Sequence, residues 1–134
     1  MLLCLSAACG KTETSIKTDC FMDNSRCIKT SHDNITVSFD AEPNPPRIMN
    51  KNRFTVELER GSGALDNADV TLDFSMPGMY MGINRLKMNN AGKGRYEAEW
   101  IIPQCPSGGR IWTAGVYIER PDSISQAEFV FEVR

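Results

Sequence analysis

The amino-acid sequence predicts an all-β protein, a sandwich of about seven short strands preceded by a polar N-terminal arm. Three observations point to this fold class. Apolar and polar residues alternate with a period of two along most of the chain after residue 34, turn-forming residues separate these stretches, and none has a helical period. The 134 residues are enough for one domain with its own core.

The chain opens with a short uncharged stretch, residues 1–9, that is typical of the end of a secretory signal. Small residues directly before Cys9 resemble the lipobox of bacterial lipoproteins, in which the cysteine receives diacylglycerol. Ser6 stands where leucine is usual and no basic residue precedes the stretch, so a longer signal or an ordinary buried segment are alternatives. We expect a lipid anchor on Cys9, because the sequence becomes polar immediately afterwards, as a tether does.

Residues 10–33 are predicted to form the polar tether arm, which carries Cys20 and Cys27. Once the signal and the lipidated cysteine are set aside, three cysteines remain for an oxidising compartment. The short separation of Cys20 and Cys27 favours a local disulfide, which leaves Cys105 as a free thiol. The alternative pairing joins Cys20 or Cys27 to Cys105 and ties the arm to the domain.

The domain is predicted to span residues 34–134, and its strands follow from the alternation. The alternating stretches are residues 35–41, 54–58, 70–74, 86–88, 96–100, 112–118 and 129–133. A proline-rich break at residues 43–46 and a turn at residues 89–94 separate neighbouring stretches. Trp100 and Trp112 fall on the apolar side of their stretches, so we expect both in the core. This spacing of strands and turns is typical of an immunoglobulin-like β-sandwich.

Composition excludes several classes of function. The chain has 15 basic and 17 acidic residues, a formal net charge of −2, so it has no basic excess to attract nucleic acid. No apolar run is long enough to span a bilayer. Since His32 is the only histidine, the sequence indicates neither a zinc motif nor a histidine-activated nucleophile, and we expect no enzyme.

Four short motifs carry a family resemblance. They are Pro43-Asn44-Pro45-Pro46, Phe74-Ser75-Met76-Pro77-Gly78-Met79-Tyr80-Met81-Gly82, Gly94-Arg95-Tyr96-Glu97-Ala98 and Pro103-Gln104-Cys105-Pro106-Ser107-Gly108. Through them the domain resembles the YtkA-like and FixH-like envelope domains, which are immunoglobulin-like and distantly similar to CopC-type copper carriers. The resemblance implies an envelope location and links to metal handling or oxidase assembly. CopC-type proteins bind Cu(II) through histidines, and no histidine follows His32 here.

Three methionines, Met76, Met79 and Met81, lie in the predicted loop between the third and fourth strands. Thioether sulfur prefers Cu(I) to hard cations, and the scarcity of histidine also favours Cu(I) over Cu(II). If successive strands alternate in direction, the loops of Cys105 and Met49 lie at the same end of the sandwich as this loop, and Cys105 can add a thiolate. We therefore expect a Cu(I) site formed by Met76, Met79, Met81 and Cys105.

Two other roles for the methionines stay open. They can fill the open end of the sandwich as flexible packing residues, or they can form a contact surface for an envelope protein. The function we predict is that of a non-catalytic lipoprotein, anchored in the cell envelope, that binds or delivers Cu(I). The alternative function is a structural or protein-interaction module of the envelope with no metal. The expected partners are the membrane, reached through the anchor, and an envelope protein.

Overall fold

The computed structural model describes residues 17–21, 23–79 and 82–134. In these residues the chain forms β-strands and no helix that could cross a membrane. The strands are β1 (Cys27–Thr30), β2 (Ile35–Glu42), β3 (Lys51–Arg60), β4 (Gly63–Ala64), β5 (Asp69–Ser75), β6 (Arg85–Lys87), β7 (Asn89–Gly92), β8 (Arg95–Ile101), β9 (Ile111–Arg120) and β10 (Ser123–Glu132).

Two antiparallel sheets form the sandwich. The first has the order β1-β2-β3-β8-β7, with β4 paired to β3, and the second has the order β10-β9-β5-β6. When the additional strands β1, β4 and β6 are set aside, β2-β3-β8-β7 lies against β10-β9-β5, which is the strand order of an immunoglobulin constant-type sandwich. The predicted all-β, immunoglobulin-like sandwich is therefore confirmed.

One aromatic core joins the two sheets. The strands bury every second residue, as the alternation predicted, for example along β2 and β5. The Phe39 ring stacks on Phe54 of its own sheet with centroids 5.6 Å apart and on Phe129 of the other sheet at 5.0 Å. Trp112 is fully buried, and the half-buried Trp100 meets it edge to face at 5.4 Å. Both tryptophans are core residues, as predicted.

The N-terminal arm differs from the expected free tether where the structure describes it. Residues 27–30 form β1, which pairs with β2, and Cys20 forms a parallel bridge to Phe131 at the edge of β10. Cys20 and Phe21 are buried in the core. This part of the arm is thus packed on the domain. Its short, half-polar sequence gave too few alternating positions to reveal a strand.

The predicted local disulfide is confirmed. Cys20 and Cys27 are bonded to each other with their Cα atoms 5.3 Å apart, and Cys105 is a free, buried thiol. The alternative pairing with Cys105 is therefore wrong. Cys9 and the expected signal segment, residues 1–9, lie outside the described residues.

Another difference concerns β7 (Asn89–Gly92), where the sequence predicted a turn. This strand lies at the edge of its sheet and pairs with β8, with a register shift between Asn90 and Gly92. None of the four residues of β7 is fully buried, so its sequence carries no apolar alternation from which a strand could be predicted.

The antiparallel connections divide the loops between two ends of the sandwich. The end that we call the thiol end comprises residues 43–50, 76–79, 82–84, 102–110 and 133–134. The end that we call the latch end comprises residues 31–34, 61–68, 93–94 and 121–122. Backbone hydrogen bonds tie the thiol end together: the Met49 amide donates to the Ile102 carbonyl and the Ile48 amide to the Arg134 carbonyl, each at 2.8 Å.

Candidate functional site

A tight turn formed by Met76, Pro77, Gly78 and Met79 follows β5. The Met79 amide donates to the Met76 carbonyl at 3.1 Å. Gly78 has a φ of 74°, which a type II turn requires at its third position, and Pro77 supplies the fixed φ that this turn favours before it. The turn brings Met76 and Met79 together as a bridged pair. The return of Met76 towards Met79 agrees with the bend predicted at Pro77 and Gly78.

A second turn, formed by Cys105, Pro106, Ser107 and Gly108, lies in the connection between β8 and β9. The Gly108 amide donates to the Cys105 carbonyl at 2.9 Å, and proline again occupies the second position. This turn folds the Ser107 hydroxyl back over the cysteine, with Oγ 3.0 Å from Cys105 Sγ.

The two turns meet at their sulfur atoms. Cys105 Sγ lies 4.0 Å from Met79 Sδ, and Ser107 Oγ lies 3.5 Å from the same Met79 sulfur. The expectation that strand alternation would bring these two loops to one end is confirmed for Met79 and Cys105. Ser107 was not among the predicted site residues, although a hydroxyl two residues after a cysteine in a proline turn is a signal that could have indicated it.

The surroundings of Cys105 favour its thiolate form. Hydrogen bonds from the side chain and then the amide of Ser107 lower the pKa of the Cys105 thiol below its usual value, while burial acts against them. The thiolate is the form of cysteine that binds metals. Cys105 is 2% exposed, whereas Met79 beside it is 42% exposed, so the sulfur pair is reached from the Met79 side.

Met76 lines the buried side of the same region. It is 6% exposed and belongs to the hydrophobic core. Its terminal methyl lies over Gly109, because a Cβ built on that glycine would be only 2.7 Å from Met76 Cε. The packing role that the sequence left open therefore applies to Met76, whose side chain also lies against the Cys105 loop.

Of the two remaining methionines at the predicted site, the structure describes Met49 but not Met81. Met49 lies at the thiol end, as predicted, and is 64% exposed. Met81 lies outside the described residues, so its part in the site stays a prediction.

The sulfur pair is spaced for one soft ion. With metal–sulfur bonds of about 2.3 Å, two sulfurs 4.0 Å apart subtend an angle of roughly 120° at a shared ion. Such an angle leaves a third position of a trigonal site open. Thiolate and thioether are soft donors, which favour Cu(I) over calcium or magnesium.

Another group of potential ligands, Asp19, Cys20 and Cys27, also comes together. Both sulfurs of this group are consumed by the disulfide, so it offers no thiolate to a metal. Its role is structural: Asp19 Oδ1 accepts a hydrogen bond from the Val130 amide at 2.8 Å and fastens the arm to β10.

Comparison with known proteins assigns the family. Neither the curated proteins nor the solved structures give a match to the chain. Residues 30–104 match the YtkA-like family, and this match covers more than half of the 134 residues. It includes Met76 and Met79 and ends one residue before Cys105. The chain belongs to the YtkA-like family.

Proposed function

We propose that this protein is a non-catalytic component of the cell envelope that binds Cu(I) at its thiol end. The observation that carries the proposal is the 4.0 Å contact between Cys105 Sγ and Met79 Sδ. Met76 lines the site, and Met81 is a further candidate ligand two residues beyond Met79. An ion held by the partly exposed Met79 and by Cys105 can be passed on through ligand exchange, which suits a protein that delivers metal.

Copper in its reduced state fits these donors better than the oxidised ion. Cu(II) is bound preferentially by imidazole and other nitrogen or oxygen ligands. The single histidine, His32, lies in the turn between β1 and β2, at the latch end. The site is therefore proposed to be selective for Cu(I), and for Ag(I) as its redox-inert substitute.

Two features support an envelope location. The Cys20–Cys27 disulfide is typical of an oxidising compartment, and the YtkA-like family supports the same location. We propose that a lipid on Cys9 anchors the protein to the membrane. Intact mass of the membrane-extracted protein tests this: we expect the mass of a diacylglyceryl group, absent in Cys9→Ala, and an unlipidated wild-type protein would contradict the anchor.

The metal proposal is tested by titrating the full chain with Cu(I) against a competing chelator, without oxygen. We expect Met79→Leu and Cys105→Ser each to weaken binding about tenfold or more, because each removes one sulfur ligand. Met88→Leu is the matched control, since Met88 is a buried core methionine whose amide donates to Val70 on β5. A Met76→Leu, Met79→Leu, Met81→Leu triple variant that binds as tightly as wild type would overturn the proposal.

A second candidate function, a protein-interaction module without metal, is favoured by the exposed apolar side chains of the thiol end. Met49, Met79 and Ile83 are all exposed there. Apolar side chains grouped on one surface are typical of contact sites. This function would replace the first if the wild-type domain binds no Cu(I) while Met49→Ser and Ile83→Ser abolish capture of an envelope protein.

A further inference from the structure

Ser107 contacts both sulfur atoms of the thiol end. Its hydroxyl oxygen lies 3.0 Å from Cys105 Sγ and 3.5 Å from Met79 Sδ, and the two sulfurs are 4.0 Å apart. The three atoms therefore form a triangle in which the hydroxyl bridges the sulfur pair. A change at this hydroxyl alters the surroundings of both proposed ligands at once.

The backbone holds the Ser107 hydroxyl in this position. The Gly108 amide donates to the Cys105 carbonyl at 2.9 Å and closes the turn that carries Ser107. The hydroxyl also lies close to Gly109, since a Cβ built on that glycine would be 3.6 Å from Ser107 Oγ. The turn and the chain that follows it thus fix where the oxygen meets the sulfur pair.

The hydrogen bonds of Ser107 restrict the Met79 side chain. A serine hydroxyl has one hydrogen and two acceptor lone pairs. The hydroxyl donates to Met79 Sδ, so its oxygen remains able to accept from the Cys105 thiol. Met79 is 42% exposed, and a methionine side chain has three rotatable bonds. A hydrogen bond that keeps its sulfur beside Cys105 therefore reduces the conformational freedom that is lost when an ion binds.

The hydroxyl oxygen is poorly suited to bind Cu(I) itself. Oxygen is a hard donor, which calcium and magnesium prefer, whereas Cu(I) favours thiolate and thioether sulfur. When the Cys105 thiolate holds an ion, the hydroxyl can donate to that charged sulfur, and charge-assisted hydrogen bonds are stronger than neutral ones. Hydrogen-bond partners of metal ligands orient those ligands and typically contribute about 10- to 100-fold to metal affinity.

We propose that Ser107 is the positioning residue of the Cu(I) site: its hydroxyl holds Met79 Sδ beside Cys105 Sγ before the ion arrives and donates to the thiolate afterwards. This inference rests on the proposed function, because it assigns a further role in the same site. Ser107 is exposed, so substitution there should alter the sulfur pair without unfolding the sandwich.

The first measurement needs no metal. Methionine-methyl NMR of the full chain reports the mobility of each methionine through its methyl order parameter. In Ser107→Ala we expect the order parameter of Met79 to fall towards that of the exposed Met49, and in Ser107→Thr, which keeps the hydroxyl, to stay near wild type. Ser75→Ala is the matched control, because Ser75 is another exposed serine, next to Met76 at the end of β5. An unchanged Met79 in Ser107→Ala would overturn the inference.

The second measurement is the Cu(I) titration against a competing chelator. We expect Ser107→Ala to bind about tenfold more weakly than wild type, and Ser107→Thr and Ser75→Ala to bind as wild type does. Wild-type affinity in Ser107→Ala, or equal weakening in Ser107→Thr, overturns the inference and leaves the sulfur site itself standing. If the wild-type chain binds no Cu(I), the proposed function fails and this inference fails with it.

Discussion

At the latch end of the sandwich three side chains contact the Asp33 carboxylate, whereas at the thiol end Met79 stays 42% exposed. Asp33 accepts hydrogen bonds from the Ser31 hydroxyl at 2.6 Å and the Ser125 hydroxyl at 2.5 Å, and it pairs with Arg120 at 2.6 Å. The side chains of Arg120 and Asp33 are only 10% and 19% exposed. These contacts join the turn after β1 to the hairpin of β9 and β10.

A second side-chain hydrogen bond also joins distant segments at the latch end. The buried Tyr96 donates its hydroxyl to the Leu65 carbonyl at 2.9 Å, which fixes the connection between β4 and β5. These contacts join distant segments of the latch end and stabilise the fold, although the buried Arg120 Nε has no hydrogen-bond partner. At the thiol end, two tight turns position Cys105 and Met79 without using up their capacity to bind. The stabilising contacts of the latch end and the proposed Cu(I) site therefore lie at opposite ends, so mutations should separate stability from binding.

The largest loss of stability is expected from a mutation at the latch end. Asp33→Ala removes one partner of a mostly buried ion pair and leaves Arg120 without its counter-ion, so unfolding free energy should fall by about 3 kcal/mol. Urea denaturation measures this loss. Glu57→Gln on β3 is the control, because Glu57 forms only exposed ion pairs with Arg26 and Arg95, and it should cost less than about 0.5 kcal/mol. A loss below about 1 kcal/mol for Asp33→Ala, or loss of Cu(I) binding while the variant is still folded, would break the comparison.

A smaller loss of stability is expected at low pH. The Ser125 and Ser31 hydroxyls lower the pKa of Asp33 from 3.8 to about 2. Because the folded-state pKa is the lower one, this stabilisation is complete above the unfolded value and is lost as pH falls from about 4 to about 2. The loss amounts to about 2 kcal/mol at most. Urea denaturation at a series of pH values should show it in wild type and not in Asp33→Asn; parallel pH profiles would refute it.

The sequence predicted the parts of the fold that local patterns encode. The alternation of buried and exposed residues located β2, β3, β5, β8, β9 and β10, since each buries one face. The same strand order, read as alternating directions, also predicted that Met79 and Cys105 would share one end. The proline and glycine of the Met76–Met79 turn predicted its bend.

The contacts that escaped prediction are long-range and polar. Arg120 and Asp33 are 87 residues apart, and no local pattern marks either as a partner of the other. The strand β1 is four residues long, and the burial of Cys20 depends on its bridge to Phe131 across the whole chain. The thiol end likewise depends on distant segments, since the Val133 amide donates to the Arg110 carbonyl and the Arg134 amide to the Pro46 carbonyl.

The smallest effect on stability is expected at the thiol end, from Gly109→Ala. The new Cβ would lie 2.7 Å from Met76 Cε, which is the far end of a flexible side chain, so the methionine can move aside for about 1 kcal/mol or less. Since the displaced thioether leaves its place against the Cys105 loop, Cu(I) affinity should change severalfold despite the small change in stability.

Gly63→Ala is the matched control for this prediction. It lies at the latch end, its φ is not in the left-handed region, and the nearest atom to its built Cβ is the Arg60 oxygen at an ordinary 3.9 Å. It should alter neither urea midpoint nor Cu(I) affinity. If Gly109→Ala also leaves the affinity unchanged, Met76 acts in packing alone and the site reduces to the Met79 and Cys105 pair. If instead the Cu(I) affinity of Gly109→Ala falls while its stability stays near that of Gly63→Ala, Met76 contributes to the Cu(I) site, and binding at the thiol end is separable from stability.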